Sequence, residues 1–476
     1  MKSQKFRSIG TGLALFVAGC SVGPDYKEPA LAVPSAWNEA QQKGVEARPL
    51  ELVRWWTAFD DPLLNSLVDR AVQSNLDLRV AEARIRESRA SRTVVAAGQW
   101  PTLGTYGSYT RSRNSENALN FPSQGGASSI KLERNLFDTG FDANWEIDVF
   151  GGVRRSVEAA DATIEATEYN RRDVLVSLLG DVAKNYIDLR GAQRRLAVAR
   201  ANVKSQQDSL DLTRVRFDAG LASDLDVVRA EAQINATAAQ IPVIESALKQ
   251  AAYSLDLLLG LSSGALWSEL EKEEAIPNLP AEVQVGLPSD LLRRRPDVRV
   301  AERRLAAATA QIGSAVADLF PKFSLTGIYG LQSISASDWF MGRSRYWSIG
   351  PTITWPIFDA GRIRANIEIR NAQQEQALYQ YEQTVLAALG DVEKSLVNYA
   401  QEQVRYRSLN GAVAANRRAV EMANELYIRG LNDYLNVIDA QRALYLTETE
   451  LAFSETTMAA NLVALYKALG GGWQIN

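Results

Sequence analysis

Chemistry in this 476-residue chain rests on very few side chains. Histidine is absent and there is one cysteine, Cys20. Without an imidazole there is no Ser/His or Cys/His nucleophilic pair, no histidine general base and no ordinary zinc ligand set. What Cys20 keeps is a thiol that can be acylated. Leu435 and Asp439 stand four residues apart, so that on a helix both face the same way, which by itself marks no more than a solvated helix face. Neither feature is hydrolytic or redox machinery, so no enzymatic activity is expected. The net charge of −4 comes from well-mixed signs and leaves no basic footprint for nucleic acid.

The residues before Cys20 explain why it stands there. Lys2, Lys5 and Arg7 precede an apolar run from Ile9 to Val17, too short to span a bilayer as a mature helix, which ends in Val17-Ala18-Gly19-Cys20. That ending resembles a bacterial lipobox. The resemblance implies removal of residues 1–19 as a lipoprotein signal peptide, acylation of Cys20 on its thiol and new amino terminus, and anchoring by more than one chain, as stable attachment requires. Ser21 follows where inner-membrane lipoproteins usually carry Asp, which favours the outer membrane. No later segment offers about 18 consecutive apolar residues, so nothing else spans a membrane as a helix.

The elements that position Leu435 and Asp439 occur twice. Gly180-Asp181-Val182 recurs as Gly390-Asp391-Val392, Gly220-Leu221 as Gly430-Leu431, and Leu259-Gly260 as Leu469-Gly470, each 210 positions on. Upstream, Trp100-Pro101 answers Phe320-Pro321 at an offset of 220. The first copy therefore carries ten extra residues after Pro101, and the Ser-, Asn- and Gly-rich stretch from Arg111 to Asn135 is the loop expected to hold them. Two copies of one unit give a pseudo-symmetric protomer, suited to a ring.

Every seventh residue from Leu175 is apolar: Val182, Leu189, Leu196, Val203, Leu210 and Phe217. The second copy repeats this through Val385, Val392, Tyr399, Tyr406, Val413, Val420 and Tyr427, and the rhythm resumes after each Gly-Leu pair, as Val227 to Leu255 and Val437 to Leu465. Sustained seven-residue spacing is the signature of coiled coils. Ascending helices of roughly 100 Å are expected, at 1.5 Å per residue. Polar companions such as Gln193, Arg200 and Gln207 predict a narrow packed stripe with a wet face beside it. Pro242 should kink the first descending helix, where the second copy has Ala452.

Between each Pro and its long helix the period becomes two. Phe141, Ala143, Trp145, Ile147 and Val149 oppose an acidic face, and Trp347, Ile349, Pro351, Ile353, Trp355 and Ile357 repeat the pattern after leading strands at Leu103 to Tyr109 and Phe323 to Leu331. Any one of these would also suit a soluble sandwich. Two such hairpins at duplicated positions behind a lipoprotein signal favour tilted membrane strands. Four strands cannot close a barrel, and open edges in hydrocarbon cost several kcal/mol per unpaired group, so several protomers must pool them.

These residues resemble the outer-membrane efflux proteins of TolC type, in their OprM/NodT-like lipoprotein branch. The resemblance rests on Cys20-Ser-Val-Gly-Pro-Asp-Tyr-Lys-Glu-Pro29, Trp55-Trp56, Phe59-Asp-Asp-Pro62, Arg294-Arg-Pro-Asp-Val-Arg-Val-Ala-Glu-Arg-Arg304, Ala310-Gln-Ile-Gly313, Phe320-Pro321 and Phe358-Asp-Ala-Gly-Arg362, in order. It implies a mixed α and β membrane protein: a duplicated protomer whose two β-hairpins join a trimeric transmembrane β-barrel and whose coiled-coil helices form a periplasmic α-barrel. Its segments would be an extended N-terminal stretch at 20–61, a first repeat at 62–261 with its hairpin at about 102–150, an equatorial linker at 262–288, a second repeat at 289–470 with its hairpin at about 322–358, and a tail at 471–476.

The resemblance further implies a passive exit duct in the outer membrane of a Gram-negative bacterium, extending into the periplasm. Its implied partners are two more copies of the chain, outer-membrane lipids, a periplasmic adaptor and an inner-membrane pump, most often of resistance-nodulation-division type. No cofactor is implied beyond the covalent lipid on Cys20. The tips Gly220, Leu221, Gly430 and Leu431 would meet the adaptor, while Leu435 and Asp439 would narrow the periplasmic mouth, three carboxylates in one ring resisting joint ionisation and attracting cations. Some relatives have Arg where this chain has Asn432 and Asp where it has Asn436. A latch onto a tip carboxylate such as Asp226 then lacks its usual cation, with Tyr427 matching a family aromatic and Arg429 as the substitute. Competing readings are a structural coiled-coil envelope lipoprotein, a metal-ion efflux channel, disfavoured by the absence of histidine, and a type I protein-secretion duct.

Overall fold

The computed structural model describes residues 21–39, 45–46, 53–115, 132–280 and 283–474. Cys20 and the leader before it lie outside the described residues, so the acylation expected there is not addressed by the fold. In chain order the elements are strand β1 (Val45–Glu46), helices α1 (Pro62–Ser74) and α2 (Leu76–Ala97), and strands β2 (Thr102–Arg113) and β3 (Glu133–Ile147). Helices α3 (Gly152–Asp218), α4 (Asp224–Ala238), α5 (Ile241–Leu258) and the short α6 (Trp267–Leu270) follow, then strand β4 (Val283–Gln284) and helices α7 (Pro288–Arg294) and α8 (Pro296–Ala317). Strands β5 (Lys322–Ser333) and β6 (Arg345–Thr354) and helices α9 (Arg362–Ile428) and α10 (Tyr434–Ala468) complete the chain.

The duplication is structural as well as textual. Helices α3 and α9 have 67 residues each and begin 210 positions apart, at Gly152 and Arg362. Helices α2 and α8 have 22 each, and strands β2 and β5 have 12 each, at an offset of 220. The expected loop at Arg111 to Asn135 is shorter than its composition suggested. Arg111 pairs with Asn135, Ser112 with Arg134 and Arg113 with Glu133 in the β2–β3 ladder, and Arg111 makes a 2.9 Å ion pair with Glu133. A polar stretch that alternates can still be strand when cross-strand partners hold it.

The described residues fall into two compact units, one drawn from within 1–29, 86–166 and 302–379, the other from within 30–85, 167–301 and 380–476. The first holds an antiparallel sheet in the order β2-β3-β5-β6. Its register sets all four apolar stripes on one face: Thr105 pairs with Phe141, Phe141 with Tyr329, and Tyr329 with Trp347. Leu103, Trp347 and Ile349 on that face are about 70% exposed in the single chain, at 74%, 71% and 67%, which hydrocarbon tolerates and water does not. Strands β2 and β6 each have one neighbour in the chain and a free outer edge. Val149, Trp355 and Ile357, expected to continue the strands, lie beyond their ends. The chain turns there because Asp148 accepts from the Val153 and Arg154 amides and Asp359 from Ile363, which starts α3 and α9.

The same unit clasps the N-terminal stretch. Arg155, itself buried, donates to the Val22 carbonyl and pairs with Asp25 at 2.6 Å, and Gly23 lies directly against Gly313, where no side chain would fit. Tyr26 donates to Glu302 and packs beside Ala162, Ala306 and Ala307.

In the second unit, Trp55, Trp56 and Phe59 are buried, with Trp55 stacked on Tyr466 at 5.2 Å. Strand β1 pairs with β4 in parallel. The seven-residue line of α9 is buried from Val385 to Tyr427 except for half-buried Tyr406. In α3 that line fades toward the tip: Leu210 is buried, Val203 half-buried and Phe217 exposed, while Asn202, Gln206, Ser209 and Thr213 take over as the buried set. This polar stripe meets α10, where Gln441 donates to Ser209 at 2.7 Å and Asn202 to Glu448 at 3.0 Å. Gln193, expected at a wet position, is instead buried, bonded to Arg190 and to the Leu270 and Lys272 carbonyls, because the linker folds over it. Arg200 and Gln207 are exposed as expected. Before Pro242 the first descending helix is interrupted at Ala239 and Gln240, which keep right-handed helical angles, whereas α10 runs unbroken for 35 residues.

Candidate functional site

Each hairpin tip is built by one device. Gly220 and Gly430 have positive φ of 72° and 71°; their amides bond to the carbonyls of Phe217 and Tyr427, and those of Leu221 and Leu431 reach back to Arg216 and Leu426. This double closure is the Schellman motif, whose left-handed residue is glycine because other side chains are strained there. It leaves Leu221 and Leu431 projecting, 65% and 71% exposed. No side-chain requirement of the fold explains a leucine at both points.

The returning helices start differently. Ser223 caps α4 in a reciprocal box with Asp226, whose carboxylate accepts from the Ser223 hydroxyl at 2.8 Å and amide at 3.2 Å. Asp226 is therefore engaged locally. In the second copy Asn432 accepts from the Asp433 amide and from Asn436. Arg429, expected as the substitute cation of a latch, pairs with Glu425 one turn back on its own helix, the nearest carboxylate it can reach without leaving its surface.

Behind the tips the two hairpins share one core: Leu210 of α3, Ala230 of α4, Ala423 and Tyr427 of α9, and Tyr434, Val437 and Ile438 of α10. Tyr427 and Tyr434 meet at 5.2 Å. Burial pushes the Tyr434 hydroxyl up to about 12, opposed by its bond to Thr213 and reinforced by Tyr427 and Asp226. Tyr427 has a buried hydroxyl with no hydrogen-bond partner. What holds its ring is a residue that sequence reasoning missed. Arg216 lays its guanidinium over Tyr427 at 4.7 Å and donates from Nη1 to the Ile428 carbonyl at 3.1 Å, tying the first ascending helix to the second tip. The available signal was position: Arg216 stands one turn before Gly220 as Leu426 does before Gly430, and the duplicated copies differ there in charge.

Leu435 and Asp439 lie together on the exposed side of α10 while Tyr434, Val437 and Ile438 turn inward. Asn436 shares their side. Among the described residues Asp439 has no ion pair or hydrogen bond, so its charge is free to act on whatever faces it. Also among the described residues, no group of three or more His, Cys, Asp or Glu is placed to hold a metal ion, and no helix is long and apolar enough to cross a membrane.

Comparison with known proteins agrees with this anatomy. The family model "Outer membrane efflux protein" matches residues 67–261 and 287–471, one stretch per repeat. The chain is 34% identical to Nodulation protein T of Rhizobium leguminosarum bv. trifolii over 467 residues, covering 97% of this chain and 96% of that protein. It is 32% identical over 478 residues to the toluene efflux pump outer membrane protein TtgI of Pseudomonas putida, covering 99% and 100%. Among solved structures, the outer-membrane channel OprN superposes with a TM-score of 0.89 at 38% identity, covering 96% of this chain and all of the other. Membrane-facing strands, duplicated coiled-coil hairpins and a match along both repeats place the chain in the outer membrane efflux protein family, whose members are passive channels and not enzymes.

Proposed function

We propose that this outer-membrane efflux channel is the exit duct of a tripartite pump: three copies pool their strands into one barrel, the tips dock a periplasmic adaptor, and an inner-membrane transporter of resistance-nodulation-division type supplies the energy. The observation that carries this reading is the four-stranded sheet, apolar and exposed on one face with both outer edges unpaired, because hydrocarbon requires every backbone group to be bonded. Cys20 adds a lipid anchor to the outer membrane. Leu435 and Asp439 narrow the periplasmic mouth, and Leu221 and Leu431 are the apolar contacts offered to the adaptor. The cargo is small organic molecules such as drugs or solvents; the relative that serves a toluene pump supports this class. The test is twofold. The detergent-solubilised protein should have the mass of three chains and conduct ions in a planar bilayer, and deletion of its gene should sensitise cells to organic compounds and be complemented by the intact chain. A conducting protein whose loss leaves sensitivity to organic compounds unchanged would refute the cargo class; a non-conducting monomer would refute the duct.

A further inference from the structure

On the polar face of the sheet one row stands apart. Tyr106 of β2 pairs with Gly140 of β3, Gly140 with Gly330 of β5, and Gly330 with Tyr346 of β6. Gly140 and Gly330 are the only buried residues among the described residues of these four strands. They are buried by the two tyrosines, which start three strand spacings apart, about 14 Å, and close that span by lying along the wall until their hydroxyls meet. Tyr346 also donates to Asp138 at 2.9 Å, and Gln332 donates to the same carboxylate at 3.1 Å.

The glycines are required here by close approach. A Cβ on Gly140 would lie 2.7 Å from the Tyr329 carbonyl oxygen and 2.9 Å from both the Gly330 Cα and the Tyr106 hydroxyl. One on Gly330 would lie 2.7 Å from the Thr139 carbonyl oxygen and 2.9 Å from the Tyr346 ring. Such crowding on one face is what a bend of the two central strands toward it would produce. Other glycines of the sheet differ: Gly104 would meet only the flexible end of the Asp142 side chain, at 2.7 Å, Gly107 and Gly327 meet nothing closer than 3.7 Å and 3.8 Å, and Gly350 meets nothing within 4 Å.

We propose that Tyr106, Gly140, Gly330 and Tyr346 form a curvature clasp, which sets the bend of the sheet within one protomer and so presents the free edges of β2 and β6 at the angle at which neighbouring copies can pair with them. The glycines permit the bend and the joined tyrosines hold it across all four strands. The clasp's purpose rests on the trimeric reading. Its site of action is the assembly interface, reached through the shape of the sheet and not through direct contact by the two glycines, which sit on the central strands.

The test expresses the full chain in an outer membrane and measures SDS-resistant oligomer and its dissociation temperature for wild type, Gly140→Ala, Gly330→Ala, the double variant Tyr106→Phe with Tyr346→Phe, and Gly327→Ala on central strand β5 as control. Either clasp glycine variant should yield at least five-fold less oligomer than Gly327→Ala. The Tyr-to-Phe pair, which keeps both rings and loses the joined hydroxyls, should assemble but dissociate at a lower temperature. Clasp glycine variants that assemble as well as Gly327→Ala, or a Tyr-to-Phe pair as heat-resistant as wild type, would overturn the clasp. A wild-type chain that forms no oligomer at all would instead overturn the trimeric reading.

Discussion

If the tips form the mouth of the duct as proposed, any widening that draws the second hairpin away from the first must break the contact of Arg216 with Tyr427 and Ile428, so Arg216→Ala tests how the tips are held. Its stacking on the ring is worth about 0.5–1 kcal/mol where solvent reaches it and about 2 where it does not. The bond to a carbonyl adds about 1 kcal/mol, the figure for an ordinary bond and below that for a desolvated charged donor, because Arg216 is half-buried. Against this, Arg216 Nε is buried without a partner, which offsets part of the gain. A net loss of about 1–2 kcal/mol shifts a closed-to-open equilibrium roughly five- to thirty-fold toward open, at 1.4 kcal/mol per tenfold. Single-channel recordings should show Arg216→Ala spending correspondingly more time in high-conductance states, and Arg216→Lys should lie between, since an ammonium lacks the flat face that stacks. Tyr427→Phe should leave gating unchanged, because the hydroxyl it removes has no partner. If Tyr427→Phe opened the channel and Arg216→Ala did not, the tips would be held by a hydroxyl latch and the reasoning here would be wrong.

Other outcomes follow from the remaining features. Leu435→Ala with Asp439→Ala should raise conductance and weaken block by multivalent cations with helical content unchanged, since both residues lie outside the buried core of α10; unaltered conductance would place the constriction elsewhere. The mature protein should begin at an acylated Cys20 by mass spectrometry, and Cys20→Ala should impair processing and anchoring more than barrel formation; an unmodified thiol would refute the anchor. Asp173 is held above its ordinary 3.8 by burial and by Asp297, against Arg295 and Lys467. A raised folded-state value means stability greatest below 3.8 and lost as pH rises through the shifted value, so Asp173→Asn should raise the thermal midpoint at pH 7 and give no advantage below 3.8. An equal gain at both pH values would show that Asn acts through packing.

Much of this architecture is legible in the amino-acid sequence. Repeat offsets of 210 and 220 mark elements of matching length because they are set by local periodicity, which each copy carries for itself. The period-two stripes gave the strand faces, since register must place apolar residues on one side. What was not legible depends on residues far apart in sequence. Gln193 reads as a wet coiled-coil position until the linker at Leu270 to Lys272 supplies its acceptors. The polar stripe of α3 reads as solvent-facing until Gln441 and Glu448 of α10 meet it. Arg111 to Arg113 looks like loop until Glu133 to Asn135 pairs with it. At the tips, glycine and leucine announced the turns, but the choice of Arg216 over Arg429 as the residue that spans the hairpins is a matter of which helix faces which, and composition is blind to that.

The interruption before Pro242 makes the two returning helices mechanically unequal. Flexing α10 anywhere along its 35 residues means giving up intact i to i−4 bonds, whereas in the first return Gln240 bonds only to Thr237, three residues back, and Pro242 has no amide to give. One strut has a ready-made hinge point and the other does not. A partner pressing on both tips with equal force would therefore fold the first hairpin's return at its hinge and drive the second's as a single lever, so that identical Gly-Leu fingers pass on different movements.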